Sequence, residues 1–125
     1  MKTKFNNKTN RVVLIFVIVI ISSCDAYNGY YIQNNSNNDY YLTVDSNSDI
    51  ILELNKNITT RDNQFFILKP KSKITLFNGV NDLNKSEIPF NNIIVLNSYG
   101  DTTKNLSSKD EVYNYFRQEN ILVIK

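Results

Sequence analysis

Between a basic head and the pair Ser22-Ser23, residues Val12 to Ile21 read VVLIFVIVII, ten apolar positions without a charge. As a helix this run would be about 15 Å long at 1.5 Å per residue. That is half the ~30 Å hydrocarbon core of a bilayer, too short for an ordinary membrane span. A cationic segment from Met1 to Arg11, an apolar middle and a small-residue site together describe a secretory signal peptide. Nothing else in the sequence limits the fold as strongly, because residues 1–23 are removed from it. Residues 24–125 remain, one domain's worth and enough for one modest core.

The charge changes sign with that division. Four of the fourteen basic residues (Lys2, Lys4, Lys8 and Arg11) precede Cys24, and none of the twelve acidic ones does. The remainder carries ten against twelve, a formal net charge of −2, which gives no support for nucleic-acid binding. The chain has no His and one Cys. The most versatile general base near neutral pH is therefore missing, as are the usual ligands of structural zinc and any disulfide within the chain. No metal or other cofactor is expected.

The lone cysteine closes the run Ile21-Ser22-Ser23-Cys24. This run resembles the lipobox of bacterial lipoprotein precursors. The resemblance implies cleavage between Ser23 and Cys24, diacylglycerol on the Cys24 sulfur, and commonly a third acyl chain on the new amino terminus. Each buried methylene adds about 0.8 kcal/mol of membrane affinity, so two or three chains hold a protein durably where one does not. The membrane would thus be a partner through lipid on Cys24. Asp25 acts in some enteric bacteria as an inner-membrane retention signal. The Asn- and Lys-rich sequence instead resembles small lipoproteins of the Bacteroidetes, where that rule does not carry over reliably. The expected location is the cell envelope, with the outer membrane favoured over the inner.

Residues 24–38 are expected to be the lipidated N-terminus and a polar tether, with Tyr30-Tyr31-Ile32-Gln33 as a candidate first strand. Residues 39–125 are expected to form the domain. Short β-type runs alternate there with turn clusters. Tyr40–Val44 and Ile50–Leu54 flank Asp45-Ser46-Asn47-Ser48-Asp49 and read as a hairpin, with Ile50, Leu52 and Leu54 on one face. Gln64–Leu68 and Lys73–Phe77 flank Lys69-Pro70-Lys71-Ser72 and read as a second pair, closed by Asn78-Gly79. Asn92–Leu96 is apolar on both faces, as in a central strand, and Ile121–Ile124 is similar. Ser108-Lys109-Asp110-Glu111 matches a capping box, and Val112, Tyr115 and Phe116 follow at helical spacing. These features predict a mainly β fold: a small antiparallel β-sandwich with one short helix over 109–118. Ile32-x-Asn34-x-Ser36 and Leu68-x-Pro70-x-Ser72 resemble runs of bacterial immunoglobulin-like accessory domains, which would imply an immunoglobulin-like topology.

Catalytic inventories fail. Triads need His, and the mature part has no Ser-x-x-Lys and no Gly-rich phosphate loop. Asp45-x-Asn47-x-Asp49 begins like a calcium loop, but Ile50 and Lys56 stand where that loop needs Gly and a bidentate Glu. After Cys24, four Asn-x-Ser/Thr triplets, at Asn34, Asn57, Asn84 and Asn105, arise by chance in a chain with 21 Asn and mark polar surface at most. Tyr30, Tyr31, Tyr40 and Tyr41 are the candidate partner-binding residues, since tyrosine offers large contact area at low entropy cost. The expected function is a non-catalytic, monomeric interaction module for a protein or glycan partner on a membrane anchor. The alternatives are a structural or accessory envelope lipoprotein without a ligand site and, more distantly, a hydrolase.

Overall fold

Tyr30, Ile32 and Asn34 are buried and alternate with Tyr31 and Gln33, and this period of two makes Tyr27–Asn34 a strand (β1) with one face in the core. The computed structural model describes residues 27–62 and 64–125. The expectations for the leader, for cleavage after Ser23 and for lipid on Cys24 fall outside them. After β1 come β2 (Tyr40–Val44), α1 (Asp49–Leu54), β3 (Thr59–Arg61), β4 (Phe65–Leu68) and β5 (Lys73–Val80). A 3-10 turn (Lys85–Glu87), β6 (Ile93–Leu96), β7 (Thr102–Leu106), α2 (Lys109–Gln118) and β8 (Ile121–Ile124) complete the chain. The fold is mainly β, with a three-stranded sheet ordered β5-β1-β8 and a five-stranded sheet ordered β3-β4-β2-β6-β7. Their inner faces share one core.

At one end that core is aromatic. Tyr30 stacks on Phe77 with centroids 4.6 Å apart, and Phe116 meets both rings edge-on at 5.8 and 5.7 Å. A bulge in the β1–β5 pairing opposite Tyr30 and Tyr31 lets the consecutive residues Leu76 and Phe77 both turn inward. The helix α2 supplies Phe116 and Val112, as its spacing predicts. Its cap is the expected one: the Glu111 N–H donates to the Ser108 hydroxyl at 3.2 Å. The Glu111 carboxylate reaches back to the N–H of Ser107 at 2.7 Å, one residue before the cap.

Several expectations are corrected. Ile50–Leu54 is no strand; it lies in α1, so the hairpin with Tyr40–Val44 does not exist, and β2 pairs instead with β4 and β6. Short apolar runs suit either period; here Ile51 is fully buried, Ile50 packs against the core from its side, and Leu52 is 46% exposed. Gln64–Leu68 and Lys73–Phe77 are not a hairpin either, because β4 and β5 belong to different sheets and the turn at Lys69–Ser72 crosses between them. Asn78-Gly79 closes nothing. Both lie in β5, where a side chain on Gly79 would press on the Tyr30 ring, and the chain turns at Asn81 with φ 57°. The polar edge strands β3 and β7 went unanticipated. The sandwich is not wholly antiparallel, since β8 runs parallel to β1. β1 is the middle strand of its sheet, so residues 27–34, expected in the tether over 24–38, belong to the sandwich, which is not confined to residues 39–125.

One side chain ties the sheets together. Asn34 is 1% exposed, and its amide nitrogen donates to the carbonyls of Leu68 (2.8 Å), Lys69 (3.2 Å) and Asn38 (2.8 Å). Its oxygen accepts from the Ser36 N–H and hydroxyl at 3.0 and 2.6 Å. The two runs that resembled immunoglobulin-like domains thus meet here, at the end of β1 and the β4–β5 corner. An Asn held in this way is not the polar surface its triplet suggested.

Candidate functional site

The structure divides the four candidate tyrosines. Tyr30 is a core residue, and burial, with the carboxylates of Glu87 and Asp82 nearby, pushes its hydroxyl pKa up. Tyr40 is half-buried against the core. Tyr31 lies on the outer face of the three-stranded sheet, with its ring across Gly29 and the Lys73 ammonium 4.6 Å from the ring centre. Tyr41 is on the outer face of the other sheet, with the Arg61 guanidinium 5.0 Å from its ring centre. Alternation in β1 and β2 sends Tyr31 and Tyr41 out of separate sheets, so no single patch contains all four. Both outward tyrosines have apolar neighbours, Ile121 beside Tyr31 and a longer row around Tyr41.

Those neighbours follow from strand register. Tyr41 faces Ile67 on one side and Leu96 on the other, and the row continues to Thr59 and Thr102. Ile94, opposite Thr43, and Phe65, opposite Arg61, flank it. The apolar members are half-buried. Cross-strand neighbours stand about 4.5–5.5 Å apart at Cβ, so Ile67, Tyr41 and Leu96 form a continuous stripe with threonines at its ends. Its sequence signal was present in Asn92–Leu96, apolar on both faces, but that pattern also suits a doubly covered strand.

At the β3 end the row runs into an open cleft of about 250 Å³ at the β4–β5 corner. Ile58, Ile67 and Ile74 give it apolar walls, and Lys56, Lys69 and Lys73 line it without any carboxylate. Among the described residues the ion pairs are Arg61–Asp62 and Lys85–Asp110, so the charge of these three lysines is uncompensated. Sequence reasoning missed the cleft because its lysines converge only where the chain crosses between sheets.

The calcium-like loop has other work. The Asp45 carboxylate accepts from the N–H groups of Asn91 (2.8 Å) and Asn92 (3.0 Å), and the Asn47 amide donates to the Pro89 carbonyl. Partial burial pushes the Asp45 pKa up, but the hydrogen bonds from Asn92, Asn91 and Ser46 outweigh it and leave the pKa lowered. The loop therefore fastens β2 to the chain entering β6. No protein-family model, curated protein or solved structure matches this chain.

Proposed function

We propose that the chain is a lipid-anchored lipoprotein of the bacterial cell envelope whose β-sandwich is a non-catalytic interaction module for a protein partner. The observation that carries the anchor is the lone Cys24 directly after an apolar run and two serines. The membrane is the outer one, by the resemblance to small lipoproteins of the Bacteroidetes. Support for the module comes from the stripe around Tyr41: an apolar row on an outer sheet face, bounded by threonines, suits association better than solvent. The chemistry of the chain supports a non-catalytic role, since it lacks His and its one candidate acidic loop is occupied in holding the backbone.

Anchoring has a geometric consequence. Cys24 precedes Tyr27, where β1 begins, by three residues, which span at most about 10 Å. The domain therefore rests against the bilayer without a long tether. The start of β1, beside Val80, faces the membrane, and its far end, beside Lys73, faces away. Metabolic labelling tests the anchor: the wild type incorporates a palmitate analogue and partitions into detergent, and Cys24→Ala does neither. Equal partitioning of both forms would remove this reading.

A further inference from the structure

We propose that the basic cleft at the β4–β5 corner receives an acidic peptide segment, added as a strand to the edge of β5 at Lys73. The proposal rests on the interaction-module reading and names the chemistry of its partner. β5 is an edge strand of its sheet. The Asn34 N–H donates to the Ser72 carbonyl at 2.8 Å, so this carbonyl and, two residues on, the backbone groups of Ile74 turn toward β1. Lys73 and Thr75 turn theirs to the open edge.

At Thr75 this edge already holds a peptide-like group. The Asn55 carboxamide donates to the Thr75 carbonyl at 2.7 Å and accepts from its N–H at 2.8 Å, as a neighbouring strand would. One step along, the N–H and C=O of Lys73 open onto the cleft, where no aromatic ring offers a platform for a sugar. An extended segment can continue the pattern there by strand addition. Three uncompensated lysines select carboxylates on that segment. The chain's own leader does not fit, because residues 1–26 carry four basic side chains and only Asp25 as an acid. Thr59 and Ile67 belong to both cleft and stripe, so a bound segment would run on toward Tyr41. In the anchored protein this corner lies at the end of β1 away from the membrane.

The test uses the full chain in detergent and a dye-labelled peptide of alternating Glu and Val. Binding is expected to weaken at least tenfold in Lys69→Glu/Lys73→Glu, and to fall with added salt. The Lys73 amide should exchange more slowly with deuterium when the peptide is bound. Both lysines are exposed, and an unchanged circular dichroism spectrum checks that the variant folds. Equal binding of a Lys–Val peptide, binding indifferent to the charge reversals, or displacement by polygalacturonate without protection of Lys73 would each overturn the proposal. Palmitate labelling of Cys24 in the same variants separates the two readings: loss of labelling counts against the anchor, and absent peptide binding with labelling intact counts against the cleft alone.

Discussion

The two helices of this domain are held by opposite means. The longer, α2, carries its instructions locally: a Ser108 cap, acidic residues Asp110 and Glu111 in the first turn, Arg117 in the last, and a buried pair at 112 and 116. The shorter, α1, has six residues and no side-chain hydrogen bond at its N-terminus. Isolated helices of that length do not form in water. It exists because Ile51 enters the core and Asn55 grips the edge of β5. One helix is written in its own segment, and the other is written by a strand some twenty residues further on.

Substitutions can break this contrast. The largest loss is expected at Phe116→Ala in α2, about 3–5 kcal/mol for a buried aromatic, because three aromatic partners lose their contact. Urea midpoints measure it, and a loss below 1 kcal/mol would contradict the packing. Next comes Ile51→Ala, about 2 kcal/mol or more, since no other residue of α1 is fully buried. Asn55→Ala should follow at about 1–2 kcal/mol, the cost of leaving backbone groups of Thr75 without partners. Hydrogen exchange adds a sharper readout: the Thr75 amide should lose protection in that variant. If it stays protected, Asn55 does not hold the edge.

Legibility of the fold follows the same division. The helix over 109–118 could be read because a cap and a 3.6-residue period are local signals. The strands β2, β4, β5, β6 and β8 could be read as short β-type runs between turn clusters, but not their partners. Only the crossing at Lys69–Ser72 assigns β4 and β5 to different sheets, and only the buried Asn34 shows why the chain crosses there. Even α2 exceeded its pattern, since Tyr113, outside the Val112, Tyr115 and Phe116 spacing, packs against the core with Lys85 and Arg117 near its ring. The tyrosines clustered in sequence separated in space, while lysines from three segments came together. Ser108→Ala tests the local side: it should cost about 1 kcal/mol, less than either change in α1, because Val112 and Phe116 still hold the helix in place. A cost above that of Ile51→Ala would mean that α2 depends on its cap more than on its packing.

The smallest expected effect discriminates best. Read as a strand, Ile50–Leu54 places Leu52 beside Ile50 and Leu54 on one buried face, and Leu52→Ala should then cost 2 kcal/mol or more, as truncation of a buried leucine does. Read as α1, the chain turns about 100° per residue, so Ile51 faces inward and Leu52 outward. At 46% exposure Leu52 has little contact to lose, and its replacement by Ala should change stability by less than about 0.5 kcal/mol. Alanine also favours a helix at least as well as leucine, which pulls the expected change closer to zero. The pair Ile51→Ala and Leu52→Ala therefore reverses its ranking between the two conformations. Urea titrations of these two variants decide which period the segment follows. If Leu52→Ala proved the more damaging, α1 would give way to a strand, and the Asn55 cap on β5, with the peptide edge beside it, would go with it.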